Sequence, residues 1–273
     1  MNADATLASL HVYPLKSARG IQLPAARLTA TGLEHDREWM ITDPAGRFLT
    51  QREQPRLALL GARLDGMALE LSMPGLAPLR VAADAAAPRR QVRIWKDECT
   101  AVDAGGAASA WLRAALGIDA RLVRFDPGFE RHSDPDWTGD VRSLNQFSDG
   151  FPILVVSRAS LAALNAALPR PLPLNRFRPN LVLAGLAPWA EDRIAELAIG
   201  AVRLRLVKPC ARCRITTIDQ QSGAPDGEEP LRTLKAQRYD PALRGVTFGW
   251  NAIILEGVGA PLEVGQPVVA RPR

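Results

Sequence analysis

Short apolar runs, separated by turn residues, dominate the pattern along this chain. Residues 7–13 form one such run, ended by Pro14. Residues 39–42 form another, followed by Asp43-Pro-Ala-Gly46 and then residues 47–51, which predicts a hairpin. Residues 57–64, 68–72, 79–82 and 91–95 repeat the pattern at close spacing. Many short strands broken by Gly and Pro suggest barrels or sandwiches. Helical periodicity is rarer. Trp111, Leu112, Ala115 and Leu116 share one face of residues 107–116, with Gly117 as a stop. Residues 157–168 read as a second helix, with Ser157 as N-cap and Leu161, Leu164 and Leu168 on one face. Residues 228–237 read as a third.

Residues 125–148 are polar and rich in Asp, Pro and Gly. A domain junction is placed there, dividing the chain into residues 1–125 and 126–273. Residues 169–173 are a Pro-rich break of the internal-loop kind, and strands are expected at 180–184, 198–207, 214–218, 252–255 and 267–270. No internal repeat is visible. The fold class is therefore mainly β with a few helices (α+β), in two β-rich halves.

Composition narrows the class. Of the 273 residues, 47% are apolar and 23% charged, which is globular and not disordered. The net charge is +5, and only Lys16, Lys96, Lys208 and Lys235 of the 34 basic residues are lysine. Arg grips phosphate through two nitrogens in a way Lys does not, so the excess suits an anionic small ligand. A bias in genome composition explains it equally well. No basic run with interleaved aromatics speaks for nucleic acid. Three cysteines, Cys99, Cys210 and Cys213, argue against a secreted disulfide framework. The polar start, Met1-Asn-Ala-Asp-Ala-Thr6, lacks a signal-peptide pattern, and no stretch of about 20 apolar residues predicts a membrane span. The expectation is a cytoplasmic protein with no membrane partner.

Four runs carry candidate chemistry. The first is Cys210-Ala-Arg-Cys213. A structural zinc site needs four ligands, and His11, His35 and His132 are scattered. A dithiol redox pair should sit between a strand and a helix, but Ile215, Thr216, Thr217 and Ile218 read as a strand. Two buried apolar cysteines are a third reading. A soft-metal thiolate is the fourth, favoured by the nearby Lys208, Arg212 and Arg214.

The second run, Tyr13-Pro-Leu-Lys-Ser-Ala-Arg-Gly20, offers anion donors after a strand, although a solvated basic turn has the same look. In the third, Gly32 to Met40, Asp36 and Arg37 are either a surface ion pair or a ligand-reaching arginine beside its partner. His35 reads as a turn residue. In the fourth, Asn175-Arg-Phe-Arg-Pro-Asn180, Pro179 favours an extended Arg178, which would point Arg176 and Arg178 to one side. Asn180 can both donate to and accept from a heterocycle. An exposed loop before a strand is the plain alternative.

Together with Thr50-Gln-Arg-Glu-Gln-Pro-Arg56 and the segment from Cys210 to Gly223, these runs resemble the MOSC family, in the subgroup with an N-terminal MOSC β-barrel domain. That subgroup includes the mitochondrial amidoxime reducing component and its bacterial counterparts. The resemblance spans residues 7–270. It implies two barrel-like domains, residues 1–125 and 126–273, with a molybdenum cofactor (Mo-molybdopterin, a pyranopterin) between them and no pyridoxal phosphate. It implies Cys213 as the catalytic molybdenum ligand. Lys16 and Ser17 map to the loop at the pterin phosphate, and Arg37, Arg178 and Asn180 to further contacts. Ser148, Asp149, Ala211, Arg212 and Asn251 complete the implied set.

The implied activity is two-electron reduction of N-hydroxylated compounds such as amidoximes and hydroxylamines. The alternative is a sulfurtransferase or cofactor carrier using Cys213 as persulfide or ligand. No Cys-rich tail precedes Arg273, so the electron donor is expected to be a separate flavin, haem or iron–sulfur protein. A monomer is expected. For the proton, Asp219 is a candidate, with a turn-capping role as its alternative. Cys210 is expected to be a neighbour and Cys99 to have no role.

Overall fold

The computed structural model describes residues 5–65, 68–84 and 86–273. The polar start read at residues 1–4 lies outside them. The expected mainly-β class with few helices is what the chain adopts.

Seven strands close into a barrel. Around it run Ile153–Ser157, Leu181–Ala184, Ala5–Val12, Pro267–Pro272, Ile194–Ile199, Val202–Ala211 and Gly245–Glu256, which pairs back onto Ile153–Ser157. The alternation Val202, Leu204, Leu206 inward and Arg203, Arg205 outward is the half-buried strand pattern in its simplest form. Leu7, Leu10, Val155, Leu183, Leu197, Leu204 and Ala252 fill the barrel. The first strand, Ala5–Val12, pairs with both Leu181–Ala184 and Pro267–Pro272. The barrel thus crosses the 125/126 division.

Beyond the barrel, Ala25–Thr29 and Gly32–Leu33 form a small sheet with Pro261–Glu263, and two further sheets lie wholly in the N-terminal half. One runs Trp39–Thr42, Arg121–Phe125, Asp97–Asp103, Arg89–Ile94, and the other Gly61–Asp65, Ala68–Ser72, Leu79–Ala82. The helix Gly105–Leu116 buries Leu112, Ala115 and Leu116 against their core, and Gly117 ends it in a left-handed cap at φ 74°. In the other half Ser157 caps the helix Arg158–Ala167 by accepting from the Ser160 N–H.

Several expected elements differ. Residues 57–64 split into a 3-10 helix, Pro55–Leu59, and a strand from Gly61, because Pro55 opens a helical turn. Residues 47–51 form only isolated bridges at Arg47 and Phe48. Residues 198–207 are two strands hinged at Gly200, φ 55°. Residues 214–217 are a 3-10 helix and not a strand. There Thr216 Oγ1 donates to the Cys213 carbonyl at 2.9 Å and Thr217 Oγ1 to the Arg214 carbonyl at 2.8 Å. These local bonds compete with ladder pairing and defeat the β-branched preference.

Two features of the barrel shape the site. Val202–Ala211 and Gly245–Glu256 change register three times, the last between Pro209 and Ala211. Such bulges bend a strand and re-aim its side chains at a barrel rim. Gly249, φ 75°, leaves room for the neighbouring strand, since a Cβ there would lie 2.7 Å from the Val155 carbonyl oxygen. Among the described residues no helix is long and apolar enough to cross a membrane.

Candidate functional site

The bent end of Val202–Ala211 opens onto a cleft between the two halves of the chain. All eleven residues singled out in the sequence line it: Lys16, Ser17, Arg37, Ser148, Asp149, Arg178, Asn180, Ala211, Arg212, Cys213 and Asn251. The cleft holds about 830 Å³ of empty space, counting its open mouth.

Tyr13 is the pivot of its inner wall. The Tyr13 N–H donates to Asp36 Oδ1 at 2.9 Å and the phenol donates to the Pro179 carbonyl at 3.1 Å. Burial raises that phenol to about 12, so it stays neutral. The guanidinium carbons of Arg37 and Arg178 each lie 4.2 Å from the ring centroid. Arg37 also donates to Asp36 at 2.5 Å, to Asn180 Oδ1 at 3.0 Å and to the Arg178 carbonyl at 3.1 Å. Asp36 and Arg37 are therefore a buried pair, not a surface one.

Arg178 does not follow the extended geometry expected before proline. Its φ is 54°, and its Nη1 donates to the Ala18 carbonyl at 2.6 Å. Stacking on Tyr13 and the Arg37 bond to its carbonyl hold it there. Arg176, two residues earlier, ends the 3-10 helix Leu174–Arg176 and turns to Asp219 at 3.0 Å and Asp226 at 2.5 Å. The two guanidinia thus part company. Among the described residues Arg178 forms no ion pair, and burial lowers it only to about 10, against the pull of Tyr13, Asp36 and Asp149, so it is a cation at neutral pH.

Ser17 at φ 66° and Arg37 at φ 50° join Arg178 in the left-handed region. Three such non-glycine residues around one cleft are stored backbone strain, which persists where the surroundings over-determine it.

Lys16 is buried and donates to the Phe147 carbonyl at 2.8 Å and to Asp149 Oδ1 at 2.5 Å. Burial lowers its ammonium to about 8, against the pull of Asp149. Ser148 is fixed through Asn145, to which its hydroxyl donates at 3.1 Å. Arg131, which carried no signal in the sequence, organises this loop. Its Nη1 donates to Asn145 Oδ1 at 2.5 Å and to the Gln146 and Ser148 carbonyls at 2.7 Å.

Asn180 is buried and largely engaged. Its Oδ1 accepts from the Leu154 N–H at 3.1 Å as well as from Arg37, and its Nδ2 donates to the His11 carbonyl at 3.2 Å. One Nδ2 proton is left for a ligand. Asn251 Nδ2 donates to the Lys208 carbonyl at 3.4 Å.

Cys213 caps the 3-10 helix Arg214–Thr217, half-buried. This helix stands where the sequence suggests a strand, the feature that spoke against a dithiol pair. A four-residue 3-10 turn, however, has little aligned dipole with which to activate a thiol. Arg212 donates to Cys210 Sγ at 3.0 Å and to the Phe177 carbonyl at 2.5 Å, while its Nε is buried without a partner. Cys99 is fully buried, and burial pushes its thiol up to about 11.

Asp219 takes the turn-capping role. Its Oδ1 accepts from Gln221 N, Ser222 N and Ser222 Oγ, and its Oδ2 from Arg176. The Ser222 N–H bond, foremost, holds its carboxyl below the usual range. It carries no proton to give.

The cleft is lined by six cations, namely Lys16, Arg37, Arg52, Arg176, Arg178 and Arg212, against the one carboxylate of Asp149. Among the described residues no three His, Cys, Asp or Glu side chains cluster to hold a metal ion. A metal at Cys213 must therefore bring its other ligands with it. An anionic metal–pterin compound with sulfur ligands of its own fits this donor set and this charge. Arg52 was missed as a site residue although it lies in the Thr50–Arg56 stretch. Among the apolar wall residues, Phe177 and Ile215 lie inside two of the singled-out runs without having been assigned to the site, and Phe151 carried no sequence signal.

Comparison with known proteins agrees with this geometry. Residues 4–119 match the MOSC N-terminal beta barrel domain and residues 143–269 the MOSC domain. Mitochondrial amidoxime-reducing component 1 of Mus musculus is 36% identical over 278 residues, covering 96% of this chain and 81% of that protein. The Homo sapiens protein of the same name is 36% identical over 281 residues, covering 96% and 82%. Mitochondrial amidoxime reducing component 2 of Bos taurus is 32% identical over 278 residues, with 96% and 82% covered. The chain belongs to the MOSC-domain family, in the subgroup that carries an N-terminal MOSC β-barrel domain and includes these proteins.

Proposed function

We propose that the protein is a molybdenum-cofactor-dependent oxidoreductase that reduces N-hydroxylated compounds, amidoximes and hydroxylamines, by two electrons. The observation that carries this is a pair of half-buried thiols at the cleft, of which Cys210 accepts from Arg212 and Cys213 does not, among six cations and one carboxylate. The names of its relatives support the substrate class.

The bound cofactor would supply two electrons for R–C(=NOH)NH2 + 2 e⁻ + 2 H⁺ → R–C(=NH)NH2 + H2O, in which the N–O bond breaks. The chain's share is binding, orientation and electrostatics. Cys213 holds the metal as its protein thiolate. Lys16, the Ser17 hydroxyl and Arg178 take the anionic end of the pterin, each charge-assisted bond adding roughly 1.5–3 kcal/mol. Arg37 and Asn180 fix Arg178 and keep one amide proton available to the ring. Ser148, Asp149, the Ala211–Arg212 segment and Asn251 border the remainder. Phe151, Phe177 and Ile215 exclude water.

Electrons come from a separate protein with a flavin, haem or iron–sulfur centre, and the protein works as a monomer in the reducing cytoplasm, where a free thiolate persists. The test is molybdenum and pterin content of the purified protein, together with benzamidoxime reduction driven by a chemical reductant. About one molybdenum per chain with benzamidine as product supports the reading. Cyanolysable sulfur on Cys213 without molybdenum replaces it with sulfur transfer, and bound pterin without turnover replaces it with a carrier role.

A further inference from the structure

Trp95 occupies a place where its side chain is unexpected. Ile94 pairs with Asp97, so Trp95 and Lys96 form a two-residue hairpin loop. Trp95 takes the first loop position at φ 55°. Hairpins ordinarily put glycine in that conformation, and a bulky aromatic residue there is an outlier. Indole is also costly to expose, yet Trp95 is 43% exposed.

Three contacts hold the ring. The Arg52 guanidinium lies 4.3 Å over it, the Phe48 ring meets it edge-on at 5.0 Å between centroids, and its Nε1–H donates to Asp149 Oδ1 at 3.2 Å. Two of these partners, Arg52 and Asp149, line the cleft. The turn itself is pinned by Asp97, whose carboxylate accepts from Arg131 at 2.8 Å, the residue that also fixes Ser148. A strained turn, clamped at both ends to the cleft's own loop, presents a rigid aromatic surface at the rim. Backbone strain of this kind collects at ligand clamps.

We propose that Trp95 determines specificity, forming an aromatic wall for substrates whose N-hydroxylated carbon carries a flat conjugated ring. This rests on the reductase reading for its substrate class. A planar ring stacks on indole with a gain beyond simple area burial, and a small aliphatic group does not. Arg52 behind the indole and Asp149 at its edge fix the ring plane, so the wall is ordered before the substrate arrives.

The test compares wild type, Trp95→Gly and Trp95→Phe, each as the purified full chain with its cofactor. Glycine suits the turn, so the thermal midpoint of Trp95→Gly should hold or rise. Calorimetric titration with benzamidine and with acetamidine reads binding without turnover. The expected result is a preference for benzamidine that drops about five- to tenfold in Trp95→Gly and is largely kept in Trp95→Phe. The ratio of kcat/KM for benzamidoxime over acetamidoxime should drop in parallel. No preference in wild type, or a preference unchanged in Trp95→Gly, overturns the proposal. If the protein reduces nothing, the reductase reading fails by itself, and the two titrations still decide whether Trp95 selects flat amidines.

Discussion

Gln51 and Gln220 exchange hydrogen bonds across the two halves of the chain. Gln51 Nε2 donates to Gln220 Oε1 at 3.1 Å, and Gln220 Nε2 donates to Gln51 Oε1 at 2.9 Å. Both side chains are buried. Gln51 Nε2 also donates to the Ser17 carbonyl at 2.7 Å and Gln220 Nε2 to the Ile218 carbonyl at 3.0 Å. The pair therefore ties the Lys16–Ser17 turn to the chain just beyond Cys213. Gln51→Leu removes the donor to Gln220 Oε1 and to the Ser17 carbonyl, leaving Gln220 only its bond to the Ile218 carbonyl, a loss of about 1–3 kcal/mol. Chemical denaturation should show that loss, and the double variant Gln51→Leu/Gln220→Leu should lose less than the sum of the singles. Strict additivity would mean the two amides act independently.

Lys16 makes anion binding pH-dependent. Its ordinary pKa is 10.5 and burial brings it to about 8 in the fold, with Asp149 pulling upward and Arg131 and Arg37 downward. The ammonium is present below about pH 8 and is lost above it, so attraction for a phosphate weakens as pH rises through that value. The sign for stability is opposite. Between about 8 and 10.5 the unfolded chain binds more protons than the fold, so this group's share of stability rises with pH. Phosphate affinity of the cofactor-free protein, titrated from pH 7 to 9.5, should fall in wild type and be flat in Lys16→Met.

Arg178 is built for a ligand at the expense of the fold. Its hydrogen bond goes to a backbone carbonyl and its face to a ring, and among the described residues it forms no ion pair, Asp36 and Asp149 acting on it only at longer range. Arg178→Met removes a poorly compensated charge, and such replacements are often neutral or stabilising. The melting temperature should hold or rise, while pterin content per chain falls at least tenfold. A drop in melting temperature with full pterin content would reverse the assignment.

Arg131 supports the site without lining it. Arg131→Met strands Asp97 and frees three acceptors of the 145–149 loop, the kind of loss that costs about 3–5 kcal/mol in a buried pair. Reduced stability and reduced pterin content should appear together, and Arg131→Lys should restore only part of either, because one ammonium cannot reach all four partners.

Part of this site is legible in the chain because its donors sit in four compact runs. Residue types alone left several readings open at each run, and the resemblance to the MOSC family is what singled out Cys213, Lys16, Ser17, Arg37 and Arg178. What escapes is whatever depends on distant pairing. Nothing near Ala5 tells that its strand lies against both Leu181–Ala184 and Pro267–Pro272. Local rules also yield to local competition. Ile215 to Ile218 carry strand propensity, yet the Thr216 and Thr217 hydroxyls fold the segment into a 3-10 turn. Pro179 disfavours a left-handed or helical Arg178, and the Tyr13 ring and Arg37 overrule it. Arg131 lies in the polar stretch 125–148 and Trp95 ends an expected strand, and neither shows its role in sequence, because their partners are a loop and a turn that meet only in the fold.

One thiolate of the Cys210–Cys213 pair, that of Cys213, is assigned to the metal. Molybdenum per chain, measured by elemental analysis on wild type, Cys210→Ser and Cys213→Ser produced alike, is the decisive number. It should be near-stoichiometric in wild type, mostly retained in Cys210→Ser and small in Cys213→Ser, with all three chains folded. Equal metal in Cys213→Ser and wild type would rule the assignment out.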